Sequence, residues 1–236
     1  MSPVTSPRSL VALTGLATGI VLTTMSAPTS ALDIQGHRGA RGLMPENTLP
    51  AFARALEIGV TTLELDCAIT KDGVVVVSHD PMLNPDITRG PDGQWLRESG
   101  PAIWSLTFGE LARYDVGRLN PTPAYAKRWP DQQAVDGTRI PRLADLFALV
   151  EKSGNKTVRF NIETKISPLE PARTTGPEDF ARKLIAAVRA AKMEQRAVIQ
   201  SFDWRTLAVV QKEAPEIQTV YLTWESGSEP NISRKG

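Results

Sequence analysis

The chain has 236 residues, 41% hydrophobic and 22% charged, which is enough for one substantial core and within the range of a single domain. Its 27 Lys and Arg nearly cancel its 26 Asp and Glu. That balance excludes a general electrostatic attraction to nucleic acid or to an anionic membrane, so any affinity for phosphate must be built locally.

The N-terminus differs in character from the rest. Arg8 precedes an acid-free apolar run from Leu10 to Met25, and Ser26-Ala27-Pro28-Thr29-Ser30-Ala31 follows. This order predicts a signal peptide over residues 1–31, removed on export to the periplasm or the exterior, ahead of a domain over residues 32–236. The apolar run, about 16 residues broken by Thr and Gly, falls short of the roughly 20 that a membrane span needs. No stable span is expected after cleavage. Cys67 is the single cysteine, which rules out an intrachain disulfide even in an oxidising compartment.

Beyond residue 32 short β-rich runs alternate with helical periods, the pattern of an α/β domain with a largely parallel sheet. Strands are predicted near residues 33–36, 62–69, 74–78, 157–163, 197–202 and 217–223. A helix follows the first strand, with Thr48 as N-cap, Leu49, Phe52, Ala53 and Leu56 on one face, and Gly59 past its end. Two more are predicted, one carrying Leu143, Leu146, Phe147 and Val150, the other Phe180, Leu184, Val188 and Ala191. Residues 81–138 break this rhythm and read as an insertion, with one short helix signalled by the capping box Thr107 to Glu110. Its aromatics, Trp95, Trp104, Phe108, Tyr114, Tyr125 and Trp129, are expected mostly in a small satellite core, with lining of a site mouth as the alternative.

The second strand alternates strictly. Leu63, Leu65, Cys67 and Ile69 face one side, Glu64 and Asp66 the other. Two carboxylates projecting together repel unless a cation, a shared proton or solvent relieves them, so they are either a hard-metal site or a solvated strand face. Asp72-Gly73 then signals a two-residue hairpin turn, which pairs Lys71 with Val74 and sets His79 opposite Asp66. In the 157–163 strand, Arg159, Asn161 and Glu163 share a face, with Lys165 just beyond, and supply a third acid and a cation. The two histidines of the chain, His37 and His79, both follow apolar strands, where polar residues of parallel sheets gather at a site. Two histidines beside a bound cation suit acid-base phosphoryl chemistry. Ser201 and Cys67 have no base nearby in sequence and are weak nucleophile candidates.

Taken together, Gly36-His37-Arg38-Gly39, Pro45-Glu46-Asn47-Thr48, Glu64-Leu65-Asp66, Lys71-Asp72-Gly73, His79-Asp80 and Asn161-Ile162-Glu163-Thr164-Lys165 resemble the glycerophosphodiester phosphodiesterase family, specifically its exported branch. The resemblance implies a TIM-type (β/α) barrel and hydrolysis of a small-molecule glycerophosphodiester to glycerol 3-phosphate and an alcohol. It implies His37 and His79 as acid and base, Glu64, Asp66 and Glu163 as ligands of a divalent cation (Ca²⁺ in preference to Mg²⁺), and Arg38 and Lys165 as phosphate-neutralising residues. It also implies attack by the substrate's own glycerol hydroxyl. Glu46 is left with two readings, orienting Arg38 or interacting with the dipole of the following helix. Six strands can be counted against the eight of a full barrel, so a barrel lacking its last two βα units is expected. The alternatives are a related phospholipase D-like enzyme acting on a choline-bearing lipid and a non-catalytic fragment that binds metal and phosphate.

Overall fold

A computed structural model describes residues 32–166 and 169–224. The predicted signal peptide and the polar Glu225–Pro230 stretch lie outside the described residues. Strands β1 (Gln35–His37), β2 (Thr62–Ile69), β3 (Val75–Val77), β4 (Arg159–Thr164), β5 (Ala197–Ser201) and β6 (Gln218–Tyr221) form one sheet. Five of them run parallel in the order β1-β2-β4-β5-β6, the course of part of a TIM-type barrel. The remaining strand, β3, turns back antiparallel along β2, so among the described residues five strands rather than six follow the barrel's course.

Helices α1 (Leu49–Ile58), α3 (Leu143–Lys152), α4 (Pro177–Ala190) and α5 (Trp204–Glu213) accompany the parallel strands, and the short α2 (Phe108–Leu111) lies in the insertion. Thr48 caps α1 by accepting from the amide of Ala51 at 3.4 Å, and Gly59 ends it in the left-handed region at φ 88°. The buried face of α1 is Ala51, Phe52 and Ala55, with Ala53 only half-buried. Helix α5 is a further helix between β5 and β6. Asp203 caps it, and Thr206, Leu207 and Val210 bury its inner side.

The apolar faces of β2 and β4 supply Leu63, Leu65, Cys67, Phe160 and Ile162, all fully buried against helix side chains such as Phe52, Phe147 and Leu184. The opposite faces are left to the polar residues, which is what period-two alternation in a helix-covered sheet requires. A second, smaller core does form under the insertion. Its buried members are aliphatic (Val76, Leu83, Ile103, Leu111, Val116, Ile140), with Phe108 and Tyr114 packed at its margin. The expected aromatic core is therefore corrected: Trp104 is exposed and bonds the carbonyl of Ala172, while Tyr125 and Trp129 turn towards the β1–α1 loop.

The hairpin is present, but its register is shifted. Cys67 pairs with Val77 and Ile69 with Val75, leaving Lys71, Asp72 and Gly73 as a three-residue loop with Gly73 at φ 80°. Thr70 causes the extra residue. Its hydroxyl binds Asp72 and accepts from the Val74 amide, so the loop opens one residue earlier, at Lys71, than Asp-Gly alone suggests. Asp66 consequently faces Ser78, whose amide donates to the Asp66 carbonyl at 2.9 Å, and His79 lies one step beyond.

Candidate active site

Strand β2 organises the site. One of its edges is taken by β4 along Thr62–Cys67, while the other carries β1 at Thr62–Glu64 and then β3 at Cys67–Ile69. Both histidine-bearing segments therefore arrive along one edge, flanking Glu64 and Asp66. His37 ends β1 opposite Glu64, and its Nε2 lies 3.8 Å from Glu64 Oε2. Glu163 faces Asp66 directly across the β2–β4 pair.

Oxygens of Glu64, Asp66 and Glu163 lie within 4.8 Å of one another, and all three side chains are buried. The solvated-face reading of these acids is thereby excluded. Ligand distances of 2.3–2.6 Å to a hard cation allow three oxygens so spaced to share one ion, and the all-oxygen donor set suits Ca²⁺ or Mg²⁺. Without a cation the charges conflict. Burial, then the charge of Asp66, push the Glu64 carboxyl up to about 8. Burial, joined by Asp66, also raises Glu163, although Lys165 pulls the other way with its Nζ 2.7 Å from Glu163 Oε1.

Arg38 follows His37 at φ 54°, and Gly39 continues the reversal at φ 79°. A Cβ on Gly39 would sit 2.8 Å from the backbone of Ala51, so the loop can lie against α1 only with glycine there. The reversal lets the Arg38 amide donate to Glu64 Oε2 at 2.8 Å and swings the guanidinium over Asp66, with Nε at 3.4 Å from Oδ2. Arg38 Nη1 donates to Glu46 Oε1 at 2.7 Å, and the Tyr125 hydroxyl donates to Glu46 Oε2. Glu46 thus contacts Arg38 and Tyr125, while the side chain that caps α1 is that of Thr48.

The two histidines have different Nδ1 partners. His79 Nδ1 lies 2.9 Å from Asp80 Oδ1, and Asn84 donates to the other oxygen of Asp80. Burial opposes ionisation of Asp80, but the His79 contact and Asn84 outweigh it and hold the carboxyl below its ordinary value. His37 Nδ1 lies 2.9 Å from Arg41 Nη2. Burial first, then Arg41 and Arg38, lower the pKa of His37.

All eight residues singled out in the sequence gather here: His37, Arg38, Glu46, Glu64, Asp66, His79, Glu163 and Lys165. Four more join them. Asn47, at φ 55°, donates to Asp66 Oδ2 at 2.9 Å, and Gln200 donates to Glu64 Oε1 at 3.3 Å. Tyr125 and Arg41 bind Glu46 and His37 as described. Asn47 sits in the quoted Pro-Glu-Asn-Thr motif, Gln200 follows from its register opposite Glu163, and Tyr125 is one of the insertion aromatics for which lining of a site mouth is the alternative to a core. Ser201 is wholly buried and bonded to Thr164, and burial pushes the Cys67 thiol up, so neither is placed to act as a nucleophile.

Residues 37–231 match the model of the glycerophosphoryl diester phosphodiesterase family. The glycerophosphodiester phosphodiesterase of Caldanaerobacter subterraneus subsp. tengcongensis is 34% identical over 192 residues, covering 81% of this chain and 66% of the relative. That of Bacillus altitudinis is 30% identical over 202 residues, covering 86% and 71%. A solved structure from Silicibacter pomeroyi DSS-3, assigned to the glycerophosphoryl diester phosphodiesterases, superposes with a TM-score of 0.75 at 37% identity, over 80% of this chain and 64% of that one. The chain thus spans about two thirds of the length of these relatives. On the ordered motifs, the sheet that assembles them and the match over most of its length, this chain belongs to the glycerophosphoryl diester phosphodiesterase family.

Proposed function

We propose that the chain hydrolyses glycerophosphodiesters to glycerol 3-phosphate and an alcohol, with one divalent cation, Ca²⁺ in preference to Mg²⁺, held by Glu64, Asp66 and Glu163. The observation that carries this reading is the triad of buried carboxylates within 4.8 Å, flanked by two histidines and crossed by Arg38 and Lys165. A cation bound there supplies charge neutralisation of the phosphate oxygens.

The chain's own groups divide the remaining work. Asp80 is an acceptor, so His79 keeps its proton on Nδ1 and leaves the Nε2 lone pair free, the arrangement of a base. Arginine only donates, so with Arg41 on Nδ1 the neutral His37 carries its proton on Nε2, beside Glu64. To protonate the leaving alkoxide His37 must enter as imidazolium, with Arg41 drawn off Nδ1. Glu46 fixes the guanidinium of Arg38, and Lys165 adds a second positive charge for the phosphate.

We also propose export, supported by the apolar run and small-residue segment over residues 1–31. Sequencing the N-terminus of secreted protein tests it, and an intact Met1 would refute it.

The function is tested by release of glycerol 3-phosphate from glycerophosphocholine and glycerophosphoglycerol, with and without chelator, beside His79→Ala. Turnover that needs the cation and is lost in the variant supports the hydrolase. Saturable Ca²⁺ binding by a folded protein with no turnover would mark a non-catalytic binding chain.

A further inference from the structure

His37 also borders a cleft of about 380 Å³ that runs along β1 and α1, lined by Gln35, Arg41, Leu43, Ile58, Val60 and Trp129 among others. His37 borders both the acid cluster and this cleft. Arg41, whose Nη2 lies 2.9 Å from His37 Nδ1, and Trp129 beneath it therefore stand directly beside the histidine that flanks the acids.

From the insertion Trp129 lines this cleft, and Tyr125 and Arg128 pack on Trp129. A single 3-10 turn, Ala126–Arg128, eclipses side chains three residues apart, which stacks Arg128 on Tyr125 with its Cζ 5.8 Å from the ring centre. Trp129 meets Tyr125 edge-on at 6.4 Å. Arg41 lies over Trp129 at 4.4 Å and Arg128 at 5.9 Å. Among the described residues no carboxylate comes within ion-pair distance of Arg41, Lys127 or Arg128, although the chain as a whole is close to neutral.

An aromatic pair at a site mouth is the usual receptor for a quaternary ammonium group, which needs an open π face. Here guanidinium groups already occupy those faces. They replace an attraction for a cation with like-charge repulsion, and the two uncompensated positive charges of Arg41 and Arg128 raise the local concentration of anions. We propose that this cationic rim selects glycerophosphodiesters whose alcohol part carries its own negative charge, such as a second phosphodiester, over those ending in choline. Arg128 is the specificity-determining residue that stands clear of the acids and histidines. The inference rests on the hydrolase reading above for its turnover arm and extends it to a substrate class.

The test compares kcat/KM of the full chain with Ca²⁺ on bis(glycerophospho)glycerol, glycerophosphoglycerol and glycerophosphocholine at low salt. The expected result is an advantage of about tenfold or more for the doubly anionic diester over the choline diester, shrinking in high salt as the charges are screened. Arg128→Gln should lower turnover of the anionic diester severalfold and raise that of glycerophosphocholine, opposite movements that a merely structural loss does not produce. Equal or better turnover of glycerophosphocholine by the unaltered protein, or a parallel change in both substrates with Arg128→Gln, would overturn the proposal. If no diester is hydrolysed, the hydrolase reading fails, and calorimetric binding of the same compounds decides the rim separately. Tighter binding of bis(glycerophospho)glycerol would uphold it; equal, weaker or absent binding would sink it.

Discussion

Glu46 holds Arg38 through a 2.7 Å charge-assisted bond, and both side chains are nearly closed to solvent at 4% and 12% exposure. The pair is what turns a buried guanidinium into an oriented one, because the same arginine also lies over Asp66. Glu46→Gln keeps an acceptor and removes the charge. The expected cost is about 2 kcal/mol of stability, the scale of a hydrogen bond to a charged group in a buried setting, with a drop in kcat/KM larger than that in folded fraction. Denaturant unfolding beside the assay checks both, and an unchanged kcat/KM would remove Arg38 orientation from the mechanism.

Chelator should destabilise the protein more at pH 8 than at pH 5. In the cation-free fold Glu64 is raised from 4.5 to about 8, and Glu163 moves the same way. The folded chain then binds more protons than the unfolded chain between these values, so its stability falls as pH rises through that window. Asp80, shifted downwards, contributes fully above its unfolded value and does not vary there. Ca²⁺ binds the ionised carboxylates and reverses the trend. Thermal unfolding with EDTA or Ca²⁺ at the two pH values measures it, and equal Tm offsets would count against a shared cation at these acids.

His79→Ala should reduce kcat by about 10²- to 10⁴-fold, the range of a lost general base. Asp80→Asn keeps the side chain's shape but no longer demands a proton on His79 Nδ1, so a loss of 10- to 100-fold, about that of outer partners of catalytic histidines, is expected. Steady-state kinetics on both variants tests the order. A larger loss for Asp80→Asn than for His79→Ala would contradict it.

Gly39→Ala should be among the most damaging small changes. It forces an L side chain to φ 79° and drives a Cβ to 2.8 Å from the Ala51 backbone. The left-handed penalty of about 1–2 kcal/mol adds to about 1–3 kcal/mol of overpacking. A midpoint of urea unfolding equal to that of the unaltered protein would refute the close approach.

Phe160→Ala should cost about 3–5 kcal/mol without altering the acid cluster. Phe160 is fully buried, edge-on to Phe147 at 4.9 Å, and its neighbours in β4 face the other way. Cation binding that survives in the still-folded fraction is the expected calorimetric result.

Alternation along one strand was enough to put Glu64 and Asp66 on a common face, because side chains in a strand change sides at every residue. The same rule placed Asn161 and Glu163 together, and helical periods located Phe52, Phe147 and Leu184 in the core. These are local consequences of backbone geometry, and the sequence determined them unaided. The hairpin register depended on the Thr70 hydroxyl outcompeting a two-residue turn, a local choice that the Asp-Gly signal does not encode. Other features were settled only in three dimensions. Tyr125 reaches Glu46 across 79 positions, Gln200 reaches Glu64 across 136, and Arg41 is fixed between His37 and Trp129. Such contacts join segments with no shared period, so their pairing follows from the parallel course of the sheet and the fold of the insertion over it. Sequence thus determined which residue types face the site, while tertiary packing decided which nitrogen of each histidine is held and what charge guards the entrance.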